Sequence, residues 1–187
     1  MQKIAEYQSL TFLNIHGYHG SPKNSAYTAL NEIGCKNIIS PSVDYDHEEP
    51  YNIIDRLNIL QAEHKVDLVV GTSLGGFYAS VLSAQHNLPV MLINPCLTPF
   101  SLDLLSELEK NSLVQLFNEL EKIELSNVSC IVGDADELLG NHAFTEKLLG
   151  NARFRRIKDG KHSGYTLPLK AFFSEMLQYY MTILPLK

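Results

Sequence analysis

The stretch Asp67-Leu68-Val69-Val70-Gly71-Thr72-Ser73-Leu74-Gly75-Gly76 leaves the backbone little choice. A Val-rich apolar run of strand length stops at a glycine-flanked serine. Residues 77 to 84 then continue with helix composition and apolar side chains about one turn apart. In a strand, Gly-x-Ser-x-Gly, helix context the turn is so tight that the serine backbone is strained and its hydroxyl projects above the sheet edge. Side chains at Gly71 and Gly75 would collide with neighbouring backbone, and Gly76 lets helix and sheet approach closely. The helix begins with its amides and positive dipole end beside the hydroxyl, which suits a developing negative charge. The competing reading is a glycine-rich turn without chemistry, and the rest of the chain has to decide between them.

The first strong signal in chain order is Thr11-Phe12-Leu13-Asn14-Ile15, a buried strand running into the glycine-containing loop His16-Gly17-Tyr18-His19-Gly20-Ser21-Pro22. Ser21 or Asn24 can cap a helix over about 24–33, with Gly34 as its stop. Asn37-Ile38-Ile39 is a short strand, and residues 42–49 form an acidic loop. Pro50 suits a first helical position, with Glu48 and Glu49 favouring the positive helix end, and the helix runs to about His64. After the glycine-flanked serine and its helix comes the strand Val90-Met91-Leu92-Ile93, ended by Asn94-Pro95. From Pro99 to Ile123 the spacing of Leu102, Leu105, Leu108, Leu113, Leu116 and Leu120 predicts helix, with a break at Asn111-Ser112. Val128 to Val132 is a strand, followed by Gly133-Asp134-Ala135-Asp136-Glu137. A helix at 143–149, a strand at 154–157, the loop 159–164 and a final helix from Leu169 to about Ile183 complete the chain.

Strands thus alternate with helices about six times, and the strands are unbroken apolar runs. This is the pattern of an α/β protein with a mostly parallel, doubly wound sheet covered by helices on both faces. Functional groups in such sheets collect at the carboxyl ends of the strands. The loops beginning at His16, Ser73, Asp134 and Asp159 all follow predicted strands and belong to one sheet edge.

A serine hydroxyl needs a base to take its proton, and the base needs an acid to orient it. With the nucleophile on a strand-to-helix turn, the expected chain order is serine, acid, histidine. His162 lies in the loop Gly160-Lys161-His162-Ser163-Gly164 after a strand. His142, in Gly140-Asn141-His142-Ala143-Phe144, is the alternative, six residues beyond Asp136. Asp136, carried past the strand tip, reaches a histidine loop more easily than Asp134, and the other aspartate is left as a turn residue. The amides of Leu74 and Tyr18 are the candidate oxyanion donors, each worth roughly 2.7–4 kcal/mol. His16, Gly17, Gly71 and Gly75 support that arrangement.

Taken in order, His16-Gly17, Gly71-x-Ser73-x-Gly75-Gly76, Gly133-x-x-Asp136 and Gly160-x-His162 resemble the α/β-hydrolase superfamily, over nearly the whole chain. Within it, the short chain, Ile15-His16-Gly17-Tyr18-x-Gly20-Ser21-Pro22, the segment Gly71 to Ala79 and Asn94-Pro95 are similar to the small YqiA-type esterases of the UPF0227 family. That resemblance implies a compact α/β-hydrolase fold and hydrolysis of acyl esters or thioesters, with a small-molecule substrate and no cofactor. Members of that family carry Gly-Asn-His-Ala-Phe around the catalytic histidine, which here is the string at 140–144. A string match thus selects His142, whereas chain order and spacing favour His162.

Composition narrows the alternatives. The 187 residues fit one domain over 1–187, with 45% hydrophobic and 19% charged residues, enough for a core without metals or disulfides. A net charge of -6 argues against a nucleic-acid partner. Cys35, Cys96 and Cys130 form no close pair and read as small core residues. There is no signal-like N-terminus and no run of membrane-spanning length, which points to a soluble, cytoplasmic protein. Asp44, Asp46, His47, Glu48 and Glu49 read as a solvated acidic rim, not a metal site. The segment between Pro95 and Leu125 occupies the place of a lid but is too short for more than a small helical cover. The sequence is thus expected to encode a carboxylic ester hydrolase with a Ser73, Asp136, His162 triad. A thioesterase or peptidase with the same triad, or a non-catalytic binding protein of this fold, are the competing readings.

Overall fold

A computed structural model describes residues 7–101 and 107–183. Six parallel strands form one sheet: β1 (Thr11–Ile15), β2 (Asn37–Ile39), β3 (Leu68–Thr72), β4 (Val90–Ile93), β5 (Val128–Gly133) and β6 (Arg153–Ile157). Their order is β2-β1-β3-β4-β5-β6. The helices are α1 (Ser25–Glu32), α2 (Pro50–His64), α3 (Leu74–His86), α4 (Glu107–Asn118), α5 (Ala143–Leu149) and α6 (Leu169–Ile183).

The unbroken apolar strands have a direct physical cause. Successive side chains on a strand point to opposite faces, and here both faces are covered. On β3, Leu68 and Val70 join Phe12, Met91, Ile93 and Ile131 in the core beneath α1 and α6. Val69 points the other way, to the core that Leu13, Leu92 and Cys130 share with α2, α3 and α4. Helix α3 is enclosed, with every residue from Leu74 to Ser83 buried. Such a helix must be apolar on all sides, and its serines satisfy themselves locally. Ser80 Oγ donates to Gly76 O at 2.8 Å and Ser83 Oγ to Leu88 O at 2.6 Å.

The expected break at Asn111-Ser112 is absent, and α4 runs through both residues. Asn111 is exposed, so its poor helix propensity costs only a few tenths of a kcal/mol. Leu113 and Leu116 of α4, and Leu120 in the turn just after it, are buried in the core shared with α3. This part of the expected cover is therefore core. Leu102 and Leu105 lie outside the described residues, and so does that part of the lid expectation. The start of α2 also differs in detail. Pro50 is its first residue and Glu49 its N-cap, but the Glu48 carboxylate turns to Arg56, with Nη2–Oε2 at 2.8 Å.

The chain leaves β1 toward β2 in one direction and β3 toward β4 in the other. The strand order therefore reverses between β1 and β3. Crevices at such a reversal, outside the carboxyl ends of the strands, are where open α/β sheets bind ligands.

Candidate active site

Ser73 sits at that reversal, between β3 and α3. Its backbone has φ 53° and ψ -122°, a strained conformation for a residue with a side chain. The surroundings impose it. Ser73 N donates to Ile93 O at 3.0 Å, while Ser73 O accepts from Gly76 N at 2.9 Å and Cys96 N at 3.0 Å. Glycine at 75 is a packing requirement: a Cβ there would lie 2.3 Å from Ile15 O and 2.4 Å from His16 O. Gly71 is similarly confined, with Gly75 O and the Ala79 Cβ both 2.6 Å from such an atom. Gly76 lets helix and sheet approach as expected: a Cβ on Gly71 of β3 would lie 2.7 Å from its Cα, and a Cβ on Gly76 itself would lie 2.7 Å from Pro95, after β4.

The histidine loop reaches Ser73 from β6. His162 Nε2 is 3.1 Å from Ser73 Oγ. Its Nδ1 lies 2.9 Å from Asp136 Oδ2 and 3.1 Å from Oδ1. A carboxylate only accepts, so the His162 proton is on Nδ1 and the Nε2 lone pair faces the hydroxyl. Asp136 hangs beyond the end of β5. Its Oδ1 also accepts from the amides of Leu138 and Leu139, both at 2.9 Å. Burial, the largest single influence, would raise this carboxyl. Hydrogen bonds from His142, His162 and the amides of Leu139 and Leu138 together outweigh it and hold Asp136 well below the usual carboxylate range.

Asp134 serves the turn, with its Oδ1 accepting from Asp159 N at 2.6 Å. The two loops meet closely because Gly133 packs on Gly160, where a Cβ on Gly133 would be 2.1 Å from Gly160 O.

His142 does not contact Ser73. Its ring is buried, with Nε2 2.8 Å from Asp136 Oδ2. Asn94, at the end of β4, was not singled out for a role by sequence reasoning. It is fully buried and joins three strands' ends: its Nδ2 donates to the carbonyls of Lys161 and His162, both at 2.9 Å, and its Oδ1 accepts from Gly133 N at 2.8 Å. Its pairing with a proline at a strand end was the only local signal.

The loop after β1 closes the other side. Gly17 lies against Ser73, so that a Cβ there would be 2.8 Å from the Ser73 Cβ. Tyr18 and His19 form the corner of a turn closed by Gly20 N to Gly17 O at 2.9 Å. His16 is a buried strut. Its Nε2 accepts from Val43 N at 3.0 Å, which leaves the proton on Nδ1 to donate to Gly17 O at 2.8 Å. Leu74 is the first residue of α3, a position whose N–H has no partner inside the helix.

The acidic loop pairs off its charges. Asp44 holds His47, with Nδ1 at 3.0 Å, and Asp46 accepts from the Tyr18 hydroxyl at 2.6 Å. Among the described residues no group of three or more His, Cys, Asp or Glu side chains is placed to hold a metal ion. Cys35, Cys96 and Cys130 are buried thiols. Burial pushes Cys35 up to about 12 and Cys96 to about 11, far from a reactive thiolate. Among the described residues no helix is long and apolar enough to cross a membrane.

Solved structures share this architecture. A protein of the alpha/beta hydrolase superfamily from Xanthomonas campestris pv. campestris superposes with a TM-score of 0.64 at 20% identity, over 90% of this chain and 97% of that one. Est1E from Butyrivibrio proteoclasticus gives 0.64 at 17% identity, over 92% and 90%. The esterase RhEst1 from Rhodococcus sp. ECU1013 gives 0.59 at 15%, over 95% and 92%. The fold is thus that of the α/β hydrolases. A family model matches residues 11–142, from the start of β1 through Ser73 and Asp136 to His142, and the chain belongs to that family, described as an uncharacterised protein family, UPF0227.

Proposed function

We propose that the protein is a carboxylic ester hydrolase working through an acyl-enzyme on Ser73. One observation carries the reading: the continuous hydrogen-bonded line from Ser73 Oγ through the two nitrogens of His162 to Asp136, with steps of 3.1 Å and 2.9 Å. His162 Nε2 takes the hydroxyl proton as Ser73 Oγ bonds to the ester carbonyl carbon. The amides of Leu74 and Tyr18 hold the oxyanion that forms. The tetrahedral species collapses, the ester C–O bond breaks, and His162 returns the proton to the departing alcohol. Water, deprotonated by the same imidazole, then attacks the acyl carbon and releases the acid and the free serine. Asp136 keeps the imidazole in the required tautomer and stabilises its cation. No step needs a cofactor.

The likeness in fold to the esterase RhEst1 agrees with this reading.

Hydrolysis of short p-nitrophenyl esters tests it. Ser73→Ala and His162→Ala are each expected to lower kcat by about three orders of magnitude or more, and a fluorophosphonate probe to label wild type but not Ser73→Ala. Equal turnover by wild type and Ser73→Ala would refute the nucleophile. Loss of turnover in His142→Ala with His162→Ala unaffected would move the base to His142.

A further inference from the structure

We propose that His142 is a positioning residue, a second imidazole that fixes the Asp136 carboxylate from the side opposite His162. The inference rests on the acyl-transfer reading of Ser73, His162 and Asp136. Its basis is geometric. The His142 side chain is 1% exposed and that of Asp136 is 0% exposed. The carboxylate is the hydrogen-bond acceptor for four groups: the amides of Leu138 and Leu139, His162, and His142. That matches the roughly four lone-pair sites a carboxylate offers, so no site is left for water or for rotation.

A local role does not explain His142. It is the N-cap residue of α5 with φ 54°, left-handed backbone that is costly for a residue with a side chain. Its ring makes no cap hydrogen bond. Asn141 does that work, with Oδ1 accepting from Ala143 N at 3.0 Å. Arg156 holds the turn from β6 through Asn141 O, at 2.5 Å. A further clamp from Gly140 N to Asp136 O at 3.0 Å closes the loop between acid and histidine. The unfavourable backbone and the inward ring therefore have one common consequence: an N–H delivered to Asp136 Oδ2.

The chemistry of that N–H is specific. Because an ionised carboxylate only accepts, His142 carries its proton on Nε2. The donated bond draws part of the carboxylate charge away from His162 and blocks rotation about the Cβ–Cγ bond. The His162 Nδ1 proton then faces a carboxylate held in one orientation, with Oδ2 at 2.9 Å and Oδ1 at 3.1 Å. Other charged or titratable groups beside the pair are Glu137, whose Oε2 accepts from His162 N at 3.1 Å, the Cys96 thiol, which senses the Asp136 charge, Lys161 and Arg156. They are unchanged in the variants below.

The test compares wild type, His142→Phe and His142→Gln on a p-nitrophenyl ester over a range of pH. Phe keeps a buried ring without a donor, and Gln presents an amide N–H near the Nε2 position. His142→Phe is expected to lose about tenfold to a hundredfold in kcat with KM little changed, as for a hydrogen bond to a charged group. The acid limb of its kcat/KM profile moves to higher pH, because the carboxylate then directs its full charge at the His162 cation. Gln restores both rate and limb. A purely structural role would lower thermal stability without moving the limb. Nitrogen-15 histidine spectra of wild type give a readout independent of any variant's folding, with His142 expected as the Nε2–H tautomer. An Nδ1–H tautomer overturns the inference, as does Ser73-dependent turnover that His142→Phe leaves unaltered in rate and limb. Absence of Ser73-dependent turnover in wild type overturns the acyl-transfer reading itself, and the inference with it.

Discussion

Asn94 shows how much of the site hangs on a single buried amide. Its three hydrogen bonds tie the end of β4 to the end of β5 and to the backbone on both sides of the Lys161–His162 peptide bond. Its φ of 41° is left-handed, a conformation asparagine tolerates better than most residues. Replacing it by Ala strands the buried Gly133 amide, worth about 1–3 kcal/mol when unpaired, and two part-buried carbonyls. Asn94→Ala is expected to lower unfolding free energy by at least about 2 kcal/mol and to reduce kcat more than it changes KM, since the imidazole loses its anchor. Asn94→Asp sharpens the test. It keeps an acceptor for Gly133 N but turns a carboxylate toward two carbonyl oxygens, so it is expected to be no better than Ala. Esterase kinetics and urea unfolding on the same preparations check both. Unchanged kcat in a folded Asn94→Ala would show that the histidine loop holds itself.

At the scale of elements, α1 and the sheet are joined through Asn24. Its Oδ1 caps the helix by accepting from Tyr27 N at 2.9 Å and also accepts from the buried Asn14 Nδ2 at 3.1 Å. Its own Nδ2 reaches Thr72 Oγ1, beside Ser73, at 3.4 Å. Losing the cap costs about 1 kcal/mol, and the lost partner of Asn14 adds about 1 more. Asn24→Ala is expected to shift the urea midpoint down with an unchanged slope, and Asn24→Ser to recover the cap share only. A change within about 0.5 kcal/mol for Ala would contradict this account. Asn24 was legible as one of two candidate caps, with Ser21, because capping is local, and so were the strands, whose apolar runs report two covered faces. The break expected at Asn111-Ser112 failed because burial of Leu113 and Leu116 overrides a weak local preference. Asn94 and His142 were less legible still. The Asn94 bonds join residues 67 and 68 positions apart, and they exist only because β4, β5 and β6 lie side by side. The string around His142 pointed to a base, whereas the fold turns that ring to Asp136.

Across the whole molecule, folding couples to protonation through Asp136. In the unfolded chain this carboxyl titrates near 3.9. In the folded protein the donated hydrogen bonds hold it lower, against the opposing effect of burial. A depressed carboxyl stabilises the fold above its unfolded value, and that stabilisation is lost as pH falls through the folded value. The exposed carboxylates Asp44, Glu124 and Glu137 are also lowered by their hydrogen bonds, so they act in the same direction with smaller weight. Wild type is therefore expected to lose stability as pH drops below about 4. In Asp136→Asn the amide N–H₂ opposes at least one histidine N–H, so the variant is destabilised at neutral pH. It cannot gain a proton at this position as pH falls, and its stability falls less steeply. The gap between the two proteins in urea midpoint should thus narrow as pH falls from about 5 to about 3. A gap that stays constant over this range would mean that Asp136 is held no more tightly in the folded chain than in the unfolded one. The four donors around it would then contribute geometry to the site but no net stability to the fold.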